Sequence, residues 1–227
     1  MIKTKKKIIA IIPARIGSQG IKYKNLKKVK GKSLLEICIK NAKKVKQISE
    51  IAVSTDSKKI QQLSKKYGVW CEKLRPKNIS RKNSQTNLAL LHTLKEINKK
   101  FDYVIELQPT YLYRKKETLS RAIEKLINNK KYESLISIVK IEDTSHPDFV
   151  INKKDNQLKF KISATNFNRY YLKPFYKPIG LILMSKYKNF IQKKDMLNGR
   201  VMGLEITEKK EMHDINDPID LKFAKFL

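Results

Sequence analysis

The chain of 227 residues has little of what marks several common chemistries. It holds two cysteines and three histidines. Cys38 and Cys71 lie in apolar stretches, without neighbours that would make a redox pair or a thiolate metal site. They are expected to be reduced core residues of a cytoplasmic protein. His92, His146 and His213 are scattered along the chain. No Ser/His/Asp or Cys/His grouping accompanies them, which argues against nucleophilic hydrolysis and zinc chemistry. No apolar run approaches the ~20 residues needed to cross a bilayer. The basic start, Met1 to Lys7, leads into an apolar run that stops at Pro13. That run reads as a first core strand and not as a secretion signal.

Negative charge is also scarce. Lys and Arg number 51 against 21 Asp and Glu, a formal net charge of +30. Such an excess first suggests nucleic acid. Arginine, however, is confined to Arg15, Arg75, Arg81, Arg114, Arg121, Arg169 and Arg200. Base-edge readout favours arginine forks, and single-strand binding favours aromatics set among cations. Neither is concentrated anywhere. The lysines spread over every expected helix face and loop, so the charge reads as a solvated surface that attracts polyanions weakly at low salt. No specific nucleic-acid partner and no membrane association are expected.

What is present is an alternation of apolar and amphipathic runs. Strands are expected at Lys7–Ala14, Ile51–Ser54, Val69–Leu74, Tyr103–Leu107 and Ser134–Ile141. Helices are expected between them at Ser33–Lys46, Lys58–Tyr67 (capped by Ser57 and closed by Gly68), Asn87–Asn98 and Lys116–Asn128. This βαβα rhythm implies an α/β fold with a mostly parallel sheet and helices on both faces. The rhythm breaks after Glu142. Residues Phe149 to Ile162 alternate about Lys154-Asp155-Asn156, the pattern of a β-hairpin. A polar, aromatic segment runs from Asn166 to Tyr176. Strand patterns return at Ile179–Met184 and Met202–Ile206, and a helix is expected at Pro218–Phe226. Residues 142–178 therefore form an excursion from one domain spanning 1–227. No internal repeat or long linker divides it.

Ligands of a parallel sheet bind outside the carboxyl ends of its strands. The residues that follow the strands are Arg15 to Asn25, then Asp56, then Arg75-Pro76, then Gln108-Pro109-Thr110. Asp214-Ile215-Asn216 lies further on. The first group combines Gly17, Ser18 and Gly20 with Arg15, Lys22 and Lys24. Glycine lets a backbone approach an anion, free N–H groups point at it, and the cations neutralise it. Cations and amides with one or two carboxylates suit nucleotidyl transfer, which needs positioning, charge neutralisation and usually a divalent metal. Simpler readings stand beside these. The loop is also what a tight βα turn looks like, and Gln108-Pro109-Thr110 also ends a strand. Arg169 among Tyr170, Tyr171 and Tyr176 also fits a cation–π contact, and Asp214 also fits a turn cap.

In order along the chain, these segments resemble the CMP-sugar synthetases, cytidylyltransferases that activate acidic sugars such as sialic acid. The likeness rests on Ile12-Pro13-Ala14-Arg15, Gly17-Ser18, Gly20-Ile21 and Lys24-Asn25, then on Val53-Ser54-Thr55-Asp56-Ser57 and Leu74-Arg75-Pro76. It continues through Ser84 or Thr86, Leu107-Gln108-Pro109-Thr110 with Arg114, His146-Pro147 and Asp214 to Leu221. The resemblance implies a Rossmann-like nucleotide-diphospho-sugar transferase fold. It gives Arg15 and Arg169 catalytic roles. It places CTP on Ala14, Arg15, Gly17, Ser18, Lys24 and Asn25, with Arg75, Ser84 and Gln108 also at the nucleotide. It sets Mg²⁺ on Asp214 and Asn216. It further implies a homodimer built through 142–178 and a product destined for a surface glycan. The departures fall mostly on the sugar side. Gln19 stands for a lysine, Asn216 for the second aspartate of the metal pair, Tyr111-Leu112-Tyr113 for Ser-Pro-Leu, Tyr170 for a glutamine and Ile179-Gly180 for Asn-Gly. Phe149 stands near a substrate lysine position. An altered sugar acid, or a weakened homologue acting as a binding protein, are the two readings these departures open.

Overall fold

The structure is a computed structural model that describes residues 6–18, 20–142, 145–147, 151–155, 157–160 and 173–227. Its centre is strand β1 (Ile8–Pro13), five of whose six residues are buried. Side chains alternate along it. Ile8, Ala10 and Ile12 join the core on one face of the sheet, and Ile9 and Ile11 join the core on the other. A strand buried on both faces needs such an unbroken apolar run, and each isoleucine contributes roughly 1.5–3 kcal/mol by leaving water. Pro13 ends the strand, where a missing N–H costs no ladder bond.

The main sheet has six strands. β4 (Glu50–Ser54) and β5 (Tyr103–Glu106) flank β1 in parallel, and β9 (Tyr176–Lys186), β6 (Ser134–Lys140) and β10 (Val201–Glu205) follow beyond β5. Five strands point one way, and β9 alone runs antiparallel, between β5 and β6. Helices α1 (Leu34–Lys43) and α4 (Lys116–Asn128) pack on one face through Leu35, Ile39, Ala122 and Ile123. Helices α3 (Thr86–Ile97) and α5 (Tyr187–Lys193) cover the other through Leu90, Leu94 and Phe190. Helix α2 (Lys58–Lys66) begins at Ser57, whose hydroxyl accepts from the Ile60 N–H, and Gly68 follows it in a left-handed conformation. Helix α6 (Pro218–Phe226) closes the chain. The α/β architecture with helices on both faces is the one the apolar pattern implies.

Several elements differ from the sequence reading. The strand expected at Val69–Leu74 shrinks to one bridge, Trp70 against β4. The next carbonyls, of Cys71 and Glu72, accept from the Gln61 side-chain amide instead of a strand. The expected Ile179–Met184 strand extends over eleven residues and carries a bulge, because its register with β6 slips between Ile136 and Ser137. Helix α5 was not expected, since it buries only Phe190. Two short strands, β2 (Lys28–Val29) and β3 (Lys32–Ser33), form a hairpin through Lys30 and Gly31, both at positive φ. In the 142–178 excursion, β7 (Ile151–Lys154) and β8 (Gln157–Phe160) form the expected hairpin, with Asp155 left-handed at its turn.

Candidate active site

The carboxyl ends of β1, β4 and β5 open into a cleft of about 550 Å³. Arg15, Ser18, Lys24, Asn25, Arg75, Ser84, Gln108 and Asn216, all singled out in the sequence, line it together. Thr86, Pro109 and Thr110 line it too. Ala14 is fully buried in the core and gives its N–H to the Ser54 carbonyl, so its side chain packs behind the cleft wall. A side chain at Gly17 would meet only open space. Gln19, Phe149, Arg169 and Tyr170 lie outside the described residues.

The loop after β1 is shaped by polar clamps. The Ile16 N–H donates to Asp56 Oδ1 at 2.8 Å, and Asn25 Nδ2 donates to the Arg15 carbonyl at 2.9 Å. Lys24 Nζ donates to the Ile215 carbonyl at 2.8 Å. A Cβ at Gly20 would sit 2.3 Å from the Asn216 carbonyl oxygen, so only glycine permits this approach. These contacts lace the N-terminal loop to residues nearly two hundred positions away. Burial lowers the Lys24 pKa, although Asp214 and Asp220 pull the other way.

The cations differ in how they are held. Arg15 Nη1 donates to the Arg81 and Lys82 carbonyls, at 2.8 and 3.2 Å. The guanidinium has three further N–H donors. Arg75 is 8% exposed and donates from Nη2 to the Ser54 carbonyl, while its Nε is buried without a partner. Ser84 donates to the Asn78 carbonyl at 3.3 Å. Arg114, which completes the Gln108 motif, is not on the wall. It is buried and structural, donating to the Leu181 and Gln108 carbonyls.

Two lining residues escaped the sequence reading. Glu106 ends β5 as a buried carboxyl whose pKa is raised by burial. An acid closing an otherwise apolar strand was the available signal. Arg81 sits in a polar stretch without periodicity, and nothing in the sequence distinguished it.

Asp214 stands beside Lys24 and Tyr111. Its Oδ2 accepts from Asn216 Nδ2 at 3.1 Å, and its Oδ1 is buried with no partner. Burial, helped by this carboxylate, pushes the Tyr111 pKa up to about 12. Asp217, the next residue after Asn216, caps α6. Its carboxylate accepts from the Ile219 and Asp220 N–H groups.

Residues 9–213 match the family model described as cytidylyltransferase. The chain belongs to the cytidylyltransferase family. It is 31% identical to the CMP-N,N'-diacetyllegionaminic acid synthase of Legionella pneumophila, over 94% of this chain and 93% of that protein. It is 27% identical to a pseudaminic acid cytidylyltransferase of Campylobacter jejuni, over 97% of this chain and 96% of that one. Among solved structures, a CMP:2-keto-3-deoxy-manno-octonic acid synthetase complexed with CTP superposes with a TM-score of 0.73 at 14% identity, covering 97% of both chains. That likeness speaks to the fold.

The donor set of this cytidylyltransferase bears on the metal. Among the described residues no three His, Cys, Asp or Glu side chains gather as a metal cage. Magnesium does not need one, because it is commonly held by one or two carboxylates with phosphates and water. The unpartnered Asp214 Oδ1 is a hard oxygen donor of that kind. Asn216 engages Asp214 through its amide nitrogen, so its oxygen, the end able to ligate a metal, is not used in that bond. The residues present fit Mg²⁺.

Proposed function

We infer that the protein transfers CMP from CTP to an acidic 2-keto sugar and releases pyrophosphate. The observation that carries this is convergence. Four separate segments, Arg15–Asn25, Arg75–Ser84, Gln108–Thr110 and Asn216, meet on one cationic cleft at the carboxyl edge of the sheet. The curated relatives, named for legionaminic and pseudaminic acids, support an acidic sugar as acceptor.

In this reading Arg15, Ser18, Lys24 and Asn25 hold the phosphates and ribose of CTP, with Ala14 and Gly17 shaping the backbone around them. Arg75, Ser84 and Gln108 contact the nucleotide, and the unpaired Arg75 Nε is a donor that a nucleotide acceptor atom would satisfy. Arg15 and Arg169 neutralise charge at the transferred phosphate. The anomeric hydroxyl of the sugar attacks the α-phosphorus and gives its proton to solvent. The bond from that phosphorus to the bridging oxygen breaks, and pyrophosphate leaves with the electron pair. Asp214 and Asn216 would hold Mg²⁺, which supplies charge neutralisation for the triphosphate. The whole chain acts as one cytidylyltransferase domain, as a homodimer through 142–178, in the cytoplasm, ahead of surface-glycan assembly.

The test is pyrophosphate release from CTP and Mg²⁺ over a panel of sialic, legionaminic, pseudaminic and 3-deoxy-octulosonic acids, with ATP, GTP and UTP as controls. Release with CTP and one acid is expected. No release and no CTP binding would sink the reading.

A further inference from the structure

Glu106 closes β5 on the cleft wall and is 3% exposed. Among the described lining residues it is the only acid, in a cleft whose cations are Arg15, Lys24, Arg75 and Arg81. Among the described residues no cation forms an ion pair with it. Arg114 acts on it electrostatically, but the Arg114 guanidinium is spent on the Leu181 and Gln108 carbonyls and on Cys38 Sγ. Its hydrogen-bond partner is Gln108 Nε2, at 3.1 Å. A buried carboxyl without an ion partner is costly, and an apolar residue would close this strand more cheaply.

Sheet order gives the position meaning. Arg75 lies on the β4 flank of β1, while Glu106 lies on the β9 flank, paired across to Leu183. Arg15, Arg75 and Arg81 thus gather on the β4 side of the cleft, while Glu106 and Gln108 stand on the other, with Lys24 tied to Ile215 beside Thr110. The Gln108 side chain is laid against Gly180, where a Cβ would fall 2.6 Å from its Oε1. With one N–H given to Glu106, Gln108 keeps its second N–H and its oxygen. The Glu106 carboxyl therefore presents an oxygen acceptor in a cleft otherwise built to bind anions.

Resting on the cytidylyl-transfer reading, we propose that Glu106 is a specificity-determining residue for the acceptor sugar. Its carboxyl oxygen, braced by Gln108, accepts a hydrogen bond from a hydroxyl or amide N–H of the sugar. That bond orients the sugar, because a sugar without a donor there would leave the buried carboxyl oxygen unsatisfied.

The experiment uses the full chain with Glu106→Gln, which keeps the shape, and Glu106→Leu, which removes hydrogen bonding. Pyrophosphate release gives KM and kcat over N-acetylneuraminic, legionaminic, pseudaminic and 3-deoxy-octulosonic acids, and calorimetry gives the CTP Kd. Glu106→Gln is expected to raise the sugar KM about 10-fold, the size of one lost charge-assisted hydrogen bond, and Glu106→Leu by more. The CTP Kd of Glu106→Gln, whose amide oxygen still accepts from Gln108, should stay within about 2-fold, and the preference among the sugars should flatten. An unchanged sugar KM and ranking overturns the proposal. So does a CTP Kd that weakens in parallel, or a Glu106→Gln chain that no longer binds CTP, because Glu106 is then a packing group. A wild-type chain that neither releases pyrophosphate nor binds CTP overturns the transferase reading and this role with it, and one that binds CTP but turns over no acid overturns the Glu106 role alone. A working wild type matched by Glu106→Gln overturns the Glu106 role alone.

Discussion

At the scale of single residues, the site is defined by a few polar atoms without partners. Asp214 Oδ1 and Arg75 Nε are both buried and unpaired. A lone buried polar atom costs about 1–3 kcal/mol, so such atoms persist where a ligand satisfies them. Asn216 is the weak point of the proposed metal site, because an amide oxygen holds Mg²⁺ less tightly than a carboxylate. Asn216→Asp is expected to lower the Mg²⁺ concentration for half-maximal turnover by roughly 3- to 10-fold. A magnesium titration of pyrophosphate release reads this directly, and an unchanged midpoint would remove residue 216 from the metal shell. The Gly20 contact shows why sequence distance misleads here. Its missing side chain lets residues 214–217 dock on the first loop, which no local pattern announces.

At the scale of elements, two devices hold the site's frame. The first is the β9 bulge, which needs partners for backbone groups that leave the ladder. Ser137 Oγ accepts from the Ile182 N–H, Tyr111 Oη accepts from the Gly180 N–H, and Arg114 Nε donates to the Leu181 carbonyl. Arg114→Leu is expected to cost about 3 kcal/mol in urea unfolding, since it strands two buried carbonyls. A loss below about 0.5 kcal/mol would show that the bulge is held without it. The second device is the start of α1. Burial works against charge on Glu36, but hydrogen bonds from Ser33 and Tyr67 and the nearby Lys28 outweigh it, so its pKa falls below the ordinary value. A depressed folded-state pKa contributes stability above the unfolded-state pKa and loses it as pH falls through the folded one. Glu36→Gln should therefore cost a few tenths of a kcal/mol at neutral pH, given its exposure, and the deficit should vanish in acid. A deficit that grew as pH fell would contradict this. Helix α4 shows what sequence reading cannot see. Lys115 precedes it without a capping side chain, and Glu211 supplies the cap from afar, accepting from the Lys115 N–H and the Thr118 hydroxyl.

At the scale of the whole molecule, charge dominates. The net charge of +30 repels itself, and few acids are present to pair the cations. Screening should relieve this, so Tm is expected to rise between ~20 and ~200 mM NaCl, over which the Debye length shortens about 3-fold. The same screening weakens attraction of a triphosphate to the cleft, so the KM for CTP should rise over that range. Melting and kinetics in one salt series test both signs. A Tm that falls with salt would mean that favourable ion pairs outweigh the repulsion.

Much of this protein was legible in its sequence. The apolar run at Ile8–Pro13 could only be a strand buried on both faces, and Ser57, Gly68 and the amphipathic spacing set the helices about it. Because ligands gather where parallel strands end, Arg15 to Asn25, Arg75 and Gln108 could be chosen before any coordinates. The short bridge at Trp70, the antiparallel insertion of β9 and its bulge were not legible. Each depends on which carbonyls find distant donors, and hydrogen-bond partners across a sheet leave no local signature. The same holds for Glu106, Arg81 and the role of Asp217 as the cap of α6. Residue type and order determined the fold class and the chemistry of the cleft. Only the tertiary structure decided which polar atoms were already satisfied by the protein and which were left for a substrate.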